Sequence, residues 1–288
     1  MKYGVREICD VVLKAKANGT KVGNKEFQEG QPVLFFDTLK TSSMEGASTT
    51  VYAQGGRGNS RLVAWEGERT VTFTMEDALI SDMGLAVLIG AGVIDAEESN
   101  VDLIVHTNAK FPIASSNKYS FDEKLATDYD VWAMVMDKND DILSSEKITV
   151  TGNVTTGTNS STITYSIPTA ASDKAAKVMF DFYITKKSGA RQIEITPDKF
   201  GGNYYLEAST LFRDQNGTDM PAEFIIPNCK VQSNFNFSLA STGDPSTFTF
   251  TLDAFPDYTV YDPTKKVLSV IQVITEDGGA PLADPIAE

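Results

Sequence analysis

The side chains that could do chemistry in this chain are few, and none sits in a complete constellation. His106, within Val-Asp-Leu-Ile-Val-His-Thr-Asn, is the sole histidine. A general base or metal ligand needs partners, and there is no second histidine or matching cysteine pair to supply them. His106 therefore reads as an ordinary strand or loop residue. Gly55-Gly56-Arg57-Gly58-Asn59 has the glycine density of a phosphate cradle. A P-loop must end in Gly-Lys-Ser/Thr so that lysine and hydroxyl reach phosphate and magnesium, and Asn59-Ser60-Arg61 stands there instead. The segment reads as a tight glycine turn, with Arg57 free to reach a carboxylate of a neighbouring subunit. Asp137-x-Asn139-x-Asp141 begins like a calcium loop, but its sixth and twelfth positions hold Ile142 and Ile148 rather than Gly and Glu. It reads as a solvated turn. Glu76 and Asp77 are adjacent at a strand end, where they point to different faces and place negative charge before a following helix. No Gly-x-Ser-x-Gly elbow is present to present a nucleophile. No catalytic, metal-binding or cofactor-binding residue is assigned.

Composition narrows the classes further. A chain of 288 residues can bury one large β core or two smaller ones. Its formal charge of −14 argues against a nucleic-acid grip, which depends on Lys and Arg neutralising phosphates. The same charge suits solubility, or a surface that repels DNA. Cys9 and Cys229 are the only cysteines, and their spacing suggests neither a disulfide framework nor a zinc site. Cys9, before Asp10-Val11-Val12-Leu13, fits as a small buried apolar residue, and whether it pairs with Cys229 stays open. The segment MKYGVREICD lacks the apolar run of a signal peptide, and no stretch reaches the roughly 18 apolar residues of a membrane span. The expectation is synthesis in a reducing host cytoplasm, with no membrane partner.

The elements that would position these residues are mostly strands. In Phe235, Phe237 and Leu239, and again in Phe248, Phe250 and Leu252, large apolar residues take every second position, with hydroxyls or amides between. That period puts one face on a core. Ser241 to Ser246 is a turn cluster joining the two. Residues 32–39 read as a buried strand, residues 41–48 as polar and flexible, and residues 49–54 as strand again, together a long hairpin. Glu66-Gly67 reads as a turn between residues 61–65 and 69–75. Residues 78–90 are the clearest helix, with Ser81 as cap and Leu85, Leu88 and Ile89 on one face. Strands follow over 131–137, 147–154, 161–167 and 177–186, with residues 152–162 as a mobile loop. Strands at 191–196 and 203–213 precede Asn216-Gly217, the strongest turn dipeptide in the chain.

The combination of GGRGNSRLVAWEGERTVTFTMEDALIS with YYLEASTLFRDQNGTD, AEFIIPNCKVQSNFNFSL and STGDPSTFTFTLDAFPDY resembles the tail tube (major tail) proteins of large contractile-tailed bacteriophages. The resemblance implies a mainly β fold, a β-barrel or sandwich with one flanking helix and long inter-subunit hairpins. It also implies a non-enzymatic virion protein that forms hexameric rings stacked into a tube, whose acidic lumen passes DNA without specific binding. Tail sheath, baseplate and tail terminator proteins are the implied partners, and the phage tail is the implied location. Carried onto this chain, residues 33–54 would be the inter-subunit hairpin. Ser42, Ser43, Met44, Glu45, Gly46, Ala47 and Ser48 would form its tip, and Arg57 a possible subunit contact.

The organisation expected from both lines is an amino-terminal half of the tube domain over 1–130 and an additional β segment over 131–190. Strands over 191–275 would complete the tube domain, and 276–288 would be a flexible acidic tail. Two other classes remain. The 131–184 segment resembles a small immunoglobulin-like sheet, as a capsid decoration or other virion binding module would carry. The third class is a hydrolase using acids such as Glu76, Asp77 and Asp253.

Overall fold

The computed structural model describes residues 2–5, 7–90, 92–236, 242 and 247–274. The chain opens with β1 (Tyr3–Val5), β2 (Asp10–Ala15), β3 (Thr20–Val22), β4 (Lys25–Phe27), β5 (Pro32–Phe36), β6 (Leu39–Gly55) and β7 (Ser60–Asp77), followed by α1 (Asp82–Ile89) and β8 (Gly92–Asp95). Then come β9 (Leu103–Pro112), β10 (Lys118–Phe121), β11 (Val131–Met136), β12 (Ile142–Ile148), a single helical turn α2 (Val150–Asn153), β13 (Val154–Thr156), β14 (Ser161–Thr164) and β15 (Lys177–Lys186). The last stretch holds β16 (Arg191–Glu194), β17 (Asn203–Asp214), β18 (Asp219–Val231), β19 (Phe248–Ala254), β20 (Asp257–Tyr258), β21 (Lys266–Val267) and β22 (Val270–Val273). The fold is mainly β, as the alternating pattern requires.

Two compact units share the chain. One comprises the residues up to Val93 together with those from Ile193 onward, and the other is Ile94–Gln192. The second unit thus begins well before residue 131. Strand β9, which carries His106 and shows only weak alternation in sequence, pairs along its whole length with β15.

In the first unit the sheet order is β5-β2-β17-β18-β19-β7-β6, with β1 added to β17 and β22 to β18. The path has two free ends, β5 and β6, so the sheet is open and does not close into a barrel. Inward residues follow the two-residue period: Val11, Leu13 and Ala15 from β2, Tyr204, Leu206 and Ala208 from β17, Phe248, Phe250 and Leu252 from β19, and Phe73 and Met75 from β7. Helix α1 lies in the same core, with Gly84 to Ile89 all buried. It starts at Asp82 because Ser81 is extended (ψ 158°) and its side chain accepts a hydrogen bond from the Gly84 N–H at 2.9 Å. It stops at Gly90, whose φ of 68° favours glycine, and where any Cβ would meet the Phe200 backbone. Replacing Ser81 by Ala should cost about 1 kcal/mol, measured by urea denaturation.

Of the strand expected through Phe235, Phe237 and Leu239, the described residues 232–236 carry no strand. β18 ends at Val231, Phe235 is exposed, and Phe237, Leu239 and all of the Ser241–Ser246 turn but Thr242 lie outside the described residues, as do residues 276–288. Asn216-Gly217 does turn the chain from β17 to β18. Gly217 has φ 88°, and the Asp214 carboxylate accepts from the Asn216 and Thr218 N–H groups at 2.8 Å each.

Cys9 and Cys229 are both free and buried in the core of this unit. Burial pushes the Cys229 thiol up from 9.0 to about 12, against the opposing effect of its contact with the Tyr204 carbonyl. The unfolded chain therefore loses this proton first as pH rises, so the thiol's contribution to stability is complete below pH 9 and declines through the window from 9 to 12. Native protein should leave Cys229 unreactive to a thiol reagent at neutral pH, and thermal stability should fall across that alkaline window.

The second unit is a small β-sandwich. A four-stranded sheet, β12-β11-β15-β9, lies opposite a three-stranded one, β10-β14-β13. Between them sit Val131, Ala133, Val135, Phe180 and Phe182 from the first sheet and Tyr119, Ile163 and Tyr165 from the second unit's other strands and the residue after β14. Residues 152–162, expected as a mobile loop, take in the end of α2 and all of β13 and reach β14. A turn joins β13 to β14, with the Gly157 N–H bonded to the Ser160 carbonyl.

Candidate self-association surface

The most unusual element of the first unit is the hairpin of β6 and β7, which are 17 and 18 residues long. Register runs from Leu39↔Asp77 to Gly55↔Ser60. Its base is part of the core: Leu39, Phe73, Met75 and Asp77 are buried, and Met44 packs against them. Beyond Glu45 on one strand and Thr70 on the other, no side chain is buried. An arm of two strands therefore leaves the sheet with neither face covered.

The arm is apolar where a solvated ribbon would be polar. Val51 pairs with Trp65 and Ala53 with Val63, which puts Val51, Val63 and Trp65 on one face. Val51 is 62% exposed, Leu62 64% and Trp65 55%. Tyr52 lies beneath the Arg61 guanidinium, 4.1 Å from its ring centroid. A two-stranded ribbon is marginally stable by itself in water, and a contiguous apolar stripe on it marks an interaction surface. Among the described residues the outer edge of β6 has no neighbour along the sheet, so its backbone groups are open to another strand.

The hairpin expected from sequence is displaced. Residues 33–36 pair with β2 (Val11↔Phe36, Leu13↔Leu34), not with residues 49–54. Ser42, Ser43, Met44, Glu45, Gly46, Ala47 and Ser48 do not form a tip. They are paired strand residues, from Ser42↔Met75 to Ser48↔Arg69, and Ser42 accepts a hydrogen bond from the Cys9 N–H at 3.2 Å. The tip is the turn Gly56–Asn59, where Gly56, Gly58 and Asn59 have φ of 78°, 95° and 48°. Arg57 stands there, exposed and with no ion pair among the described residues. Glu66-Gly67 is not a turn but a bulge. Thr49 faces both Gly67 and Glu68, its Oγ1 accepts the Glu68 N–H at 2.9 Å, and a Cβ on Gly67 would lie 2.5 Å from that oxygen. The apolar stripe was missed in sequence because glycine at 67 hid the continuity of an 18-residue strand.

The acids considered for hydrolysis are engaged in the fold. Asp77 accepts from Thr38 Oγ1 at 2.5 Å and from the Leu79 N–H, Glu76 from Thr41 and Thr247, and Asp253 from Thr72 and Gln232. Asp137 caps its own turn through the Asn139 and Asp141 N–H groups. In the same turn Asp140 bridges Lys110 and Lys177, whose hydrogen bonds hold its carboxyl below the usual range. His106 lies on β9 with Nε2 2.9 Å from Asp181 Oδ1. Among the described residues no group of three or more His, Cys, Asp and Glu side chains could hold a metal ion. No described helix is long and apolar enough to cross a membrane.

An open β sheet carrying a long, uncovered, apolar arm is a surface suited to contact with another chain. Comparison by sequence gives the class: the model of the YomU/Tube protein family matches residues 7–116 and 128–267. The chain belongs to that family, whose name is that of a phage tail tube structural protein. No curated protein matches the chain.

Proposed function

We propose that copies of this chain close into rings, with hexamers as the expected state, and that the rings stack into the inner tail tube of a contractile-tailed phage. The arm of β6 and β7 carries the reading. Its apolar stripe gains a cover, and the β6 edge gains a strand, when a neighbouring copy lies against them. Arg57 at the tip is placed to meet a carboxylate of that copy, of which a chain with net charge −14 has many. The same negative balance suits a lumen through which DNA slides, since like charge withholds the phosphate contacts that make DNA stick. Sheath, baseplate and terminator proteins would meet the outside and the ends of such a tube.

Negative-stain microscopy of the purified chain over a concentration series tests this. Rings or hollow tubes that grow with concentration are the expected result. Persistent monomers at every concentration would overturn the reading.

A further inference from the structure

The second unit carries a groove whose lining residues are no part of the arm. It opens on the outer face of the four-stranded sheet, where β11, β15 and β9 lie side by side. Pairing sets Trp132 beside Asp181 and Tyr183 beside His106 across these strands. Tyr129, from the turn before β11, leans on Tyr183 with ring centroids 5.1 Å apart, and His106 meets the same ring edge-on at 5.4 Å. Trp132 and Tyr129 are 42% and 43% exposed, so broad aromatic surface faces solvent within a polar depression.

Two of the three carboxylates in this groove, Asp181 and Asp130, stand in donor–acceptor pairs. Asp181 uses Oδ1 for His106 at 2.9 Å, and Asp130 uses Oδ1 for Lys147 at 2.6 Å. Each keeps a second oxygen able to accept a hydrogen bond, and each stands beside a group able to donate one. That pattern suits a ligand that both donates and accepts at every position while offering apolar C–H faces to aromatic rings. An anion would meet Asp128, Asp130 and Asp181 as like charges. A simple cation would find two of those three charges already partnered.

We propose that this groove binds a neutral hexose chain, with Trp132, Tyr129 and Tyr183 stacking against sugar rings and Asp181, Asp130 and His106 exchanging hydrogen bonds with hydroxyls. The site is independent of the arm, so its success or failure leaves the tube reading where it stands.

The test uses the full chain carrying Trp65→Phe, which leaves Trp132 as the one tryptophan. A glucose hexasaccharide, an N-acetylglucosamine hexasaccharide and choline are titrated separately while Trp132 emission is followed. At least one hexasaccharide should give a saturable change and choline none. Tyr183→Ala, and separately Asp181→Asn, should weaken that binding about tenfold or more without moving the thermal midpoint beyond a few degrees. The asparagine variant keeps the shape of the site, so it reports even if the alanine variant is unstable. Silence with both hexasaccharides, saturation by choline alone, or binding indifferent to both substitutions would overturn the proposal.

Discussion

Joining Ser48 to Arg69 through an Asn-Gly turn, with Thr49 to Glu68 removed, should yield a folded monomer that forms neither rings nor tubes. The excised residues contain no buried side chain, so the core of the first unit keeps every large residue it has. Ser48 and Arg69 are directly paired, and a two-residue loop closes such a pair without splaying the strands. Stability should change by less than about 1 kcal/mol, as for other surface alterations away from caps and core. Assembly should disappear, because the cut takes away Val51, Leu62, Val63, Trp65 and Arg57 at once. Light scattering after gel filtration separates the outcomes: monomers with an unchanged melting curve support the arm as the subunit contact, and tubes of normal length reject it. Deleting residues 41–48 would be a poorer experiment. Those residues pair with residues 69–76 and support the core, so loss of assembly there would report loss of fold.

Phe250→Ala should cost about 3–5 kcal/mol, a large share of the roughly 5–15 kcal/mol available to a whole domain. Phe250 is 1% exposed and meets Phe36 edge-to-face at 4.9 Å between centroids. It also lies against the first turn of α1, where its ring comes close to Gly84. The substitution thus opens a cavity between the sheet and α1, and neither can collapse to fill it. Thr249→Ala, one position away on the exposed face, should stay within about 0.5 kcal/mol. Urea midpoints for the two variants measure the face assignment directly. Equal costs would mean that the two-residue period does not decide burial in β19.

Much of the fold was legible because it rests on local pattern. Phe248, Phe250 and Leu252 declare a strand and its buried face with no outside help. Ser81 and Gly90 mark the ends of α1 through the hydrogen bond one can accept and the φ the other can adopt. Gly217 marks its turn for the same reason as Gly90. The candidate surface was less legible. Residues 33–36 and 49–54 both look like strands, and a strand's own residues say little about which strand lies beside it. Glycine at 67 reads equally as a turn or a bulge until Thr49 is seen opposite.

By itself the amino-acid sequence determined that the chain is mainly β, where α1 begins and ends, and which side chains of β19 are buried. These depend on periodicity, on capping and on residue type, all of which act within a few positions. Only the tertiary structure decided that β6 pairs with β7 over its full length, that the turn with Arg57 stands at the end of the arm, and that Trp132, Asp181 and His106 share one face of a sheet. Strand pairing joins residues far apart in the chain, such as His106 and Tyr183. Partner choice there is decided by how many inward faces can be packed at once, a property that no single segment carries.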